Sequence, residues 1–210
     1  MGVPVLLMGE SGTGKSTSLR NFGKGEMALV NVLGKPLPFR GKVPQVKTRD
    51  IAAIRKAIAE SPSRTVVIDD FGYTITDIYT RGSYGPEKFR DQYEVYKKIG
   101  NEVYNLVTFV QDRCPDDMVV YFVMHSTVEG GEIVPATIGK MLNEKINLVG
   151  MFTITAISAI DGDEYVFVVN GTPPSKTPPG MFDAEKVPND LKAFDEALRD
   201  YYEIPRGDAG

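Results

Sequence analysis

The stretch GESGTGKST, Gly9 to Thr17, follows directly on the apolar run VPVLLM and constrains the chain more than any other feature. A continuous apolar run closed by glycine reads as a strand buried on both faces, as in a parallel sheet. Gly9-x4-Gly14-Lys15-Ser16 has the complete Walker A spacing. The glycines let successive backbone N–H groups turn inward around a phosphate. KSTSLRNF is expected to continue as a helix whose N-terminus faces the anion, with Gly23 and Gly25 ending it. The expected cradle comprises Gly9, Glu10, Ser11, Gly12, Thr13, Gly14, Lys15, Ser16 and Thr17. In it Lys15 would bridge phosphate oxygens and the Ser16 hydroxyl would ligate Mg²⁺.

The remainder alternates short apolar runs with helical patterns, which predicts a doubly wound α/β sheet. Strands are expected at MALVNV (27–32), QVKT, TVVIDDF (65–71) and DMVVYFVMH (117–125). Asp50 is placed to cap a helix over IAAIRKAIAE. Between MALVNV and QVKT, the segment LGKPLPFRGKVP carries Pro36, Pro38 and Pro44 and predicts a lid-like loop. The longest helix is expected from Pro86 to about Arg113, its buried face including Phe89, Tyr93, Tyr96, Val103 and Val110, with Gly100 a point for a kink. After His125 a long loop is expected. MFTITAISAI and EYVFVVN then flank Asp161-Gly162-Asp163, a hairpin signal that adds antiparallel edge strands towards the C-terminus. PNDLKAFDEALRDYY closes the chain as a helix. One domain over 1–203 and a flexible tail over 204–210 follow from this pattern.

Charge and cysteine content narrow the chemistry. A net charge of −4 excludes a general polyanion binder, so any nucleic-acid contact needs a local patch. The single cysteine, Cys114, excludes an internal disulfide and a cysteine-based zinc cluster, and reads as a small apolar residue at a helix end. No apolar run approaches membrane-spanning length and no signal peptide opens the chain, so no membrane partner and a cytoplasmic location are expected.

A hydrophobic strand ending in an acid is the expected companion of the Gly9 loop, and VVIDD supplies it. Asp69 would hold Mg²⁺. Asp70 has two readings: it polarises an attacking water, or it caps the following helix or supports the metal. His125, the only histidine, ends its strand and either senses the terminal phosphate and positions water or is a hydrogen-bonded strand end. Glu10 and Asp50 are lesser candidates. No NKxD-type guanine reader is present, which favours ATP over GTP. An Arg-rich acceptor lid is not evident, although RGSYGPEKFRDQY has three basic residues.

GESGTGKST, GKPLPFRG, TVVIDDF, the VMHS strand end and KTPPGMF together resemble the phage-encoded RecA-like ATPases, single-domain P-loop proteins of the AAA-type phage nucleotide-binding and single-strand annealing recombinase group. The resemblance runs from Val3 to about Tyr202. It implies a P-loop NTPase with a RecA-like core and ATP hydrolysis with Mg²⁺. It further implies a homo-oligomer with nucleotide between subunits, and action on single-stranded DNA in recombination, repair or replication, beside phage partner proteins in the host cytoplasm. It also implies that Lys176 reaches a neighbour's terminal phosphate. The Gly130-Gly131 loop and ATIGKMLNEK, with Lys140 and Lys145, occupy the place of DNA-binding loops, although Glu129, Glu132 and Glu144 dilute their charge. One departure stands out: Asn31 occupies the place where such enzymes carry a catalytic Glu. Two other functions stay open at this point, a nucleotide-gated interaction module with weak ATPase activity and a small-molecule or nucleotide kinase.

Overall fold

The computed structural model describes residues 1–138 and 147–205, and they form an α/β fold around one mixed, mostly parallel sheet. The strands are β1 (Val3–Gly9), β2 (Met27–Asn31), β3 (Gln45–Val46), β4 (Thr65–Asp69), β5 (Val119–Glu129), β6 (Glu132–Pro135), β7 (Ile154–Asp161), β8 (Glu164–Val168) and β9 (Lys186–Pro188). The helices are α1 (Ile51–Ala59), α2 (Gly72–Ser83), α3 (Gln92–Arg113) and α4 (Leu191–Tyr201), with 3-10 turns at Ser16–Asn21 and Leu148–Met151. Spatial order is β3-β2-β4-β5-β1-β7-β8-β9, with β6 hairpinned onto β5. The pairs from β3 through β7 are parallel, while β7–β8, β8–β9 and β5–β6 are antiparallel. The antiparallel strands expected towards the C-terminus are therefore present.

Period-two alternation within apolar strands feeds two cores. Leu6, Met8, Val66, Ile68, Val120 and Phe122 face α1, α2 and α3. Val5, Leu7, Val67, Tyr121 and Val123 face α4 and Leu19 of the first 3-10 turn. Every one of those strand side chains is at most 1% exposed, which explains why the strands read as unbroken apolar runs.

Helix ends follow side-chain caps where they exist. Asp50 accepts from the Ala53 N–H at 2.7 Å and starts α1 as expected. The helix expected from Pro86 begins instead at Gln92, where Asp91 accepts from the Glu94 N–H at 2.9 Å. Phe89 lies ahead of that cap and packs over Gly82, its N–H donating to the Gly82 carbonyl at 2.9 Å. The buried face of α3 is Val95, Ile99, Val103, Leu106, Val107 and Val110; Tyr93 is 65% exposed. Helix α3 runs on through Gly100 without a break. The helix expected after Gly14 is only a six-residue 3-10 turn.

Strand β5 continues past His125 into the stretch expected to be a loop, because Gly130 and Gly131, both at positive φ, turn it tightly into β6. Lys140, Glu144 and Lys145 lie outside the described residues, as does 206–210 of the expected tail. Among the described residues no helix is long and apolar enough to cross a membrane.

A polar cluster that the sequence reading did not anticipate fastens α4 to the sheet. Asp195 accepts from Tyr121 Oη at 2.9 Å, from Thr65 Oγ1 at 3.0 Å and from Arg199 Nε at 2.7 Å. The Arg199 guanidinium also donates to the carbonyls of Asp117, Pro205 and Arg64. Burial and the neighbouring Asp195 charge push the Tyr121 hydroxyl well above its ordinary pKa, so it stays a neutral donor.

Candidate functional site

Parallel pairing brings the chemically notable residues to one edge of the sheet. Gly9 is in register with His125, and Asn31 with Asp69. Strand β5 lies between β1 and β4, so His125 stands between the Gly9 loop and the Asp69 strand end. A crevice of about 960 Å³ opens there, beyond the carboxyl ends of the strands, where open α/β sheets bind ligands. Its lining includes Ser11, Gly12, Gly14, Lys15, Ser16 and Thr17 from the loop, and Asn31, Asp69, Asp70 and His125 from the strand ends. Lys35 to Pro38 and Arg20 also line it, as do Asp161, Glu164, Tyr165, Lys186 and Asn189 from the β7–β9 side.

Two glycines are required by geometry. A Cβ on Gly9 would lie 2.4 Å from the Ser158 carbonyl oxygen. Gly14 has φ +91, and a Cβ there would meet the Tyr165 ring at 2.9 Å. Thr13 ties the loop through both backbone and side chain: its carbonyl accepts from Ser158 Oγ at 2.6 Å, and its hydroxyl donates to the Glu10 carbonyl at 2.9 Å.

Lys15 is folded onto this loop, Nζ donating to the carbonyls of Gly9 at 2.8 Å and Glu10 at 2.6 Å. It is 6% exposed. Burial lowers its pKa, partly offset by the charges of Asp70 and Asp69, while the charge of Lys35 adds to the lowering. Asp69 is raised, first by burial and then by the Asp70 charge, with the Ser16 hydrogen bond and Lys15 opposing. Among the described residues its Oδ1 is buried without a hydrogen-bond partner, an arrangement that costs free energy unless a ligand meets it.

Asp70 sits at φ +63, a left-handed conformation that Asp tolerates better than most residues. That turn carries its carboxylate to His125 Nε2 at 3.3 Å and Lys35 Nζ at 3.2 Å. Burial pushes its pKa up, but the bonds from His125 and Lys35 outweigh this and hold it below the ordinary range. The reading of Asp70 as a helix cap fails, because α2 begins without a side-chain cap. Tyr73, in the first turn of α2, meets the His125 ring edge-to-face at 6.1 Å.

Of the residues expected at the site, Lys15, Ser16, Asp69, Asp70 and His125 converge. Lys176, expected to reach a neighbour's phosphate, bridges to Thr155 of β7, and its ammonium donates to the Val149 carbonyl at 3.1 Å. Asp50 is committed to capping α1. The sequence reading did not single out Lys35, Ser158, Tyr165 or Asn189. The lysine inside the proline-rich GKPLPFRG loop was the available signal for the first; the others carried none. No protein-family model matches this chain, and no curated protein matches it.

Proposed function

We propose that the crevice binds ATP with Mg²⁺ and hydrolyses it, in a P-loop NTPase with a RecA-like core. The observation that carries this reading is the convergence of Lys15, Ser16 and Asp69 on one crevice at the carboxyl ends of parallel strands. The loop amides and Lys15 would hold the β- and γ-phosphates once the ammonium leaves the carbonyls that it now bonds. Ser16 and the unpartnered oxygen of Asp69 fit a magnesium ion, which needs only one or two protein oxygens beside phosphate and water. When bound, that ion supplies charge neutralisation on the phosphate oxygens.

In hydrolysis a water oxygen forms a bond to the γ-phosphorus and the bond to the β–γ bridging oxygen breaks. The electron pair leaves on ADP, and inorganic phosphate is the second product. The Asp70 carboxylate stands 3.3 Å from His125 Nε2 and 3.2 Å from Lys35 Nζ, at the strand ends where the water would approach. The Asp70–His125 pair is then the group proposed to take the water's proton.

Action on single-stranded DNA as a homo-oligomer is the further part of this reading, supported by the resemblance of GKPLPFRG and KTPPGMF to the recombinase-type ATPases. A nucleotide-gated module is the second reading, favoured by Asn31 at the place of a catalytic carboxylate. Phosphate release, measured with and without single-stranded DNA and beside Lys15→Ala, separates them. Lys15-dependent release raised by DNA supports the first reading. ATP binding without release supports the second, and release unaffected by DNA removes DNA from the function.

A further inference from the structure

We propose that Lys35 joins Lys15 as a phosphate-binding cation and contacts the terminal phosphate of the nucleotide from within the same chain. This rests on the nucleotide reading above and adds a residue to it. Lys35 stands on the segment joining β2 to β3, and Asn31 clamps that segment at both ends. The Asn31 amide donates to the Lys35 carbonyl at 2.7 Å and to Gln45 Oε1 at 2.8 Å. Asn31 is 3% exposed, and Pro36 and Pro38 restrict the chain beyond it, so the backbone of Lys35 is held at the rim. Its side chain is 57% exposed and free to re-aim.

The ammonium rests 3.2 Å from Asp70 Oδ2 and 5.4 Å from the centroid of the Tyr73 ring. Lys35 and Lys15 line the same crevice; its other cations are engaged, Arg20 with the carbonyls of Thr17 and Asn189 and Lys186 with the Asp161 carboxylate. A diphosphate on the Gly9 loop is served by the amides and Lys15. A third phosphate adds negative charge towards the strand ends, where two carboxylates, Asp69 and Asp70, already stand. A metal on Ser16 and Asp69 would answer one of them; Lys35, now held by Asp70, would answer the other by turning to the phosphate. Were Lys35 only a solvated partner of Asp70, its bond would contribute little to stability and nothing to the choice between di- and triphosphate. Lys176, whose ammonium is bonded to the Val149 carbonyl, is not needed in this role.

The test is equilibrium binding of fluorescent ADP and of a fluorescent non-hydrolysable ATP analogue, both with Mg²⁺. The proteins are the wild type, Lys35→Ala, Lys35→Gln and Lys35→Arg, with thermal melting as the control for folding. Lys35→Ala and Lys35→Gln should each weaken the triphosphate about tenfold, as expected for loss of one charge-assisted contact, and leave the diphosphate within about twofold. Lys35→Arg should recover most of the loss. Equal weakening of both nucleotides, or no change in either, overturns the proposal. A wild type that binds neither nucleotide removes the nucleotide reading itself and this proposal with it.

Discussion

His125 Nε2 stands 3.3 Å from Asp70 Oδ1, and the pair exists because two neighbouring parallel strands end in different ways. Strand β4 stops at Asp69 and the chain turns sharply at Asp70, at φ +63, while β5 runs straight on through His125. The Phe71 N–H donates to the Val123 carbonyl at 2.8 Å and fixes the turn against β5. The carboxylate is thereby delivered sideways to the imidazole instead of forwards to the helix it precedes.

Asp69→Asn should raise the stability of the ligand-free protein and abolish Mg²⁺-dependent turnover. The raised pKa of Asp69 means that its charged form is disfavoured in the fold. Its penalty is complete above the folded pKa and absent below the ordinary value of 3.8. A gain of ~1 kcal/mol at neutral pH, or about 2–4 °C in Tm, is expected, and it should vanish near pH 3. Thermal melts of the ligand-free proteins across pH check it.

Asp70→Asn should behave in the opposite sense. A carboxylate held below its ordinary 3.8 contributes stability above that value and loses it as pH falls through the lowered folded pKa. Asn tolerates positive φ, so the backbone at this turn is preserved. The wild type should melt above the variant at pH 6, and the difference should begin to shrink only as the pH falls below about 4, closing once it passes the lowered folded pKa. A difference that does not shrink on acidification below 3.8 would contradict the assignment.

Asn31→Glu should not restore a catalytic carboxylate. The substitution removes the amide that clamps Lys35 and Gln45, and adds a third negative charge beside Asp69 and Asp70. A loss of ~2 kcal/mol in urea unfolding is expected, with no rise in turnover. Faster phosphate release by this variant would show that the clamp is dispensable.

Asp195→Ala should be among the most damaging substitutions outside the crevice. It leaves Arg199, 3% exposed, as a buried cation without its carboxylate, and strips Tyr121 of its acceptor. A cost of about 3–5 kcal/mol is expected. Tyr121→Phe deletes one donor and should cost only ~1 kcal/mol, both read from denaturant midpoints.

The alternation of buried strands and helices is legible in the residues, since runs such as VPVLLMG and TVVID can satisfy their side chains only when both faces of a sheet are covered. The residues also set the caps at Asp50, Asp91 and Asp190, the Asp161–Glu164 hairpin and the Gly9–Thr17 loop, because each depends on residues a few positions apart. The cap at Asp91 is masked in the sequence by an aromatic spacing that begins at Phe89 and imitates a helix face. Tertiary structure alone decided that β5 lies between β1 and β4, since strand order depends on contacts among residues far apart in the chain. From that order come the His125–Asp70 pair, the approach of Lys35 to Asp70 and the placing of Lys176 against Val149. The Asp195–Arg199 pair is four residues apart, yet its burial depends on Thr65 and Tyr121 of other strands. Local rules choose the elements; the free energy of burying charge and apolar surface together chooses their neighbours.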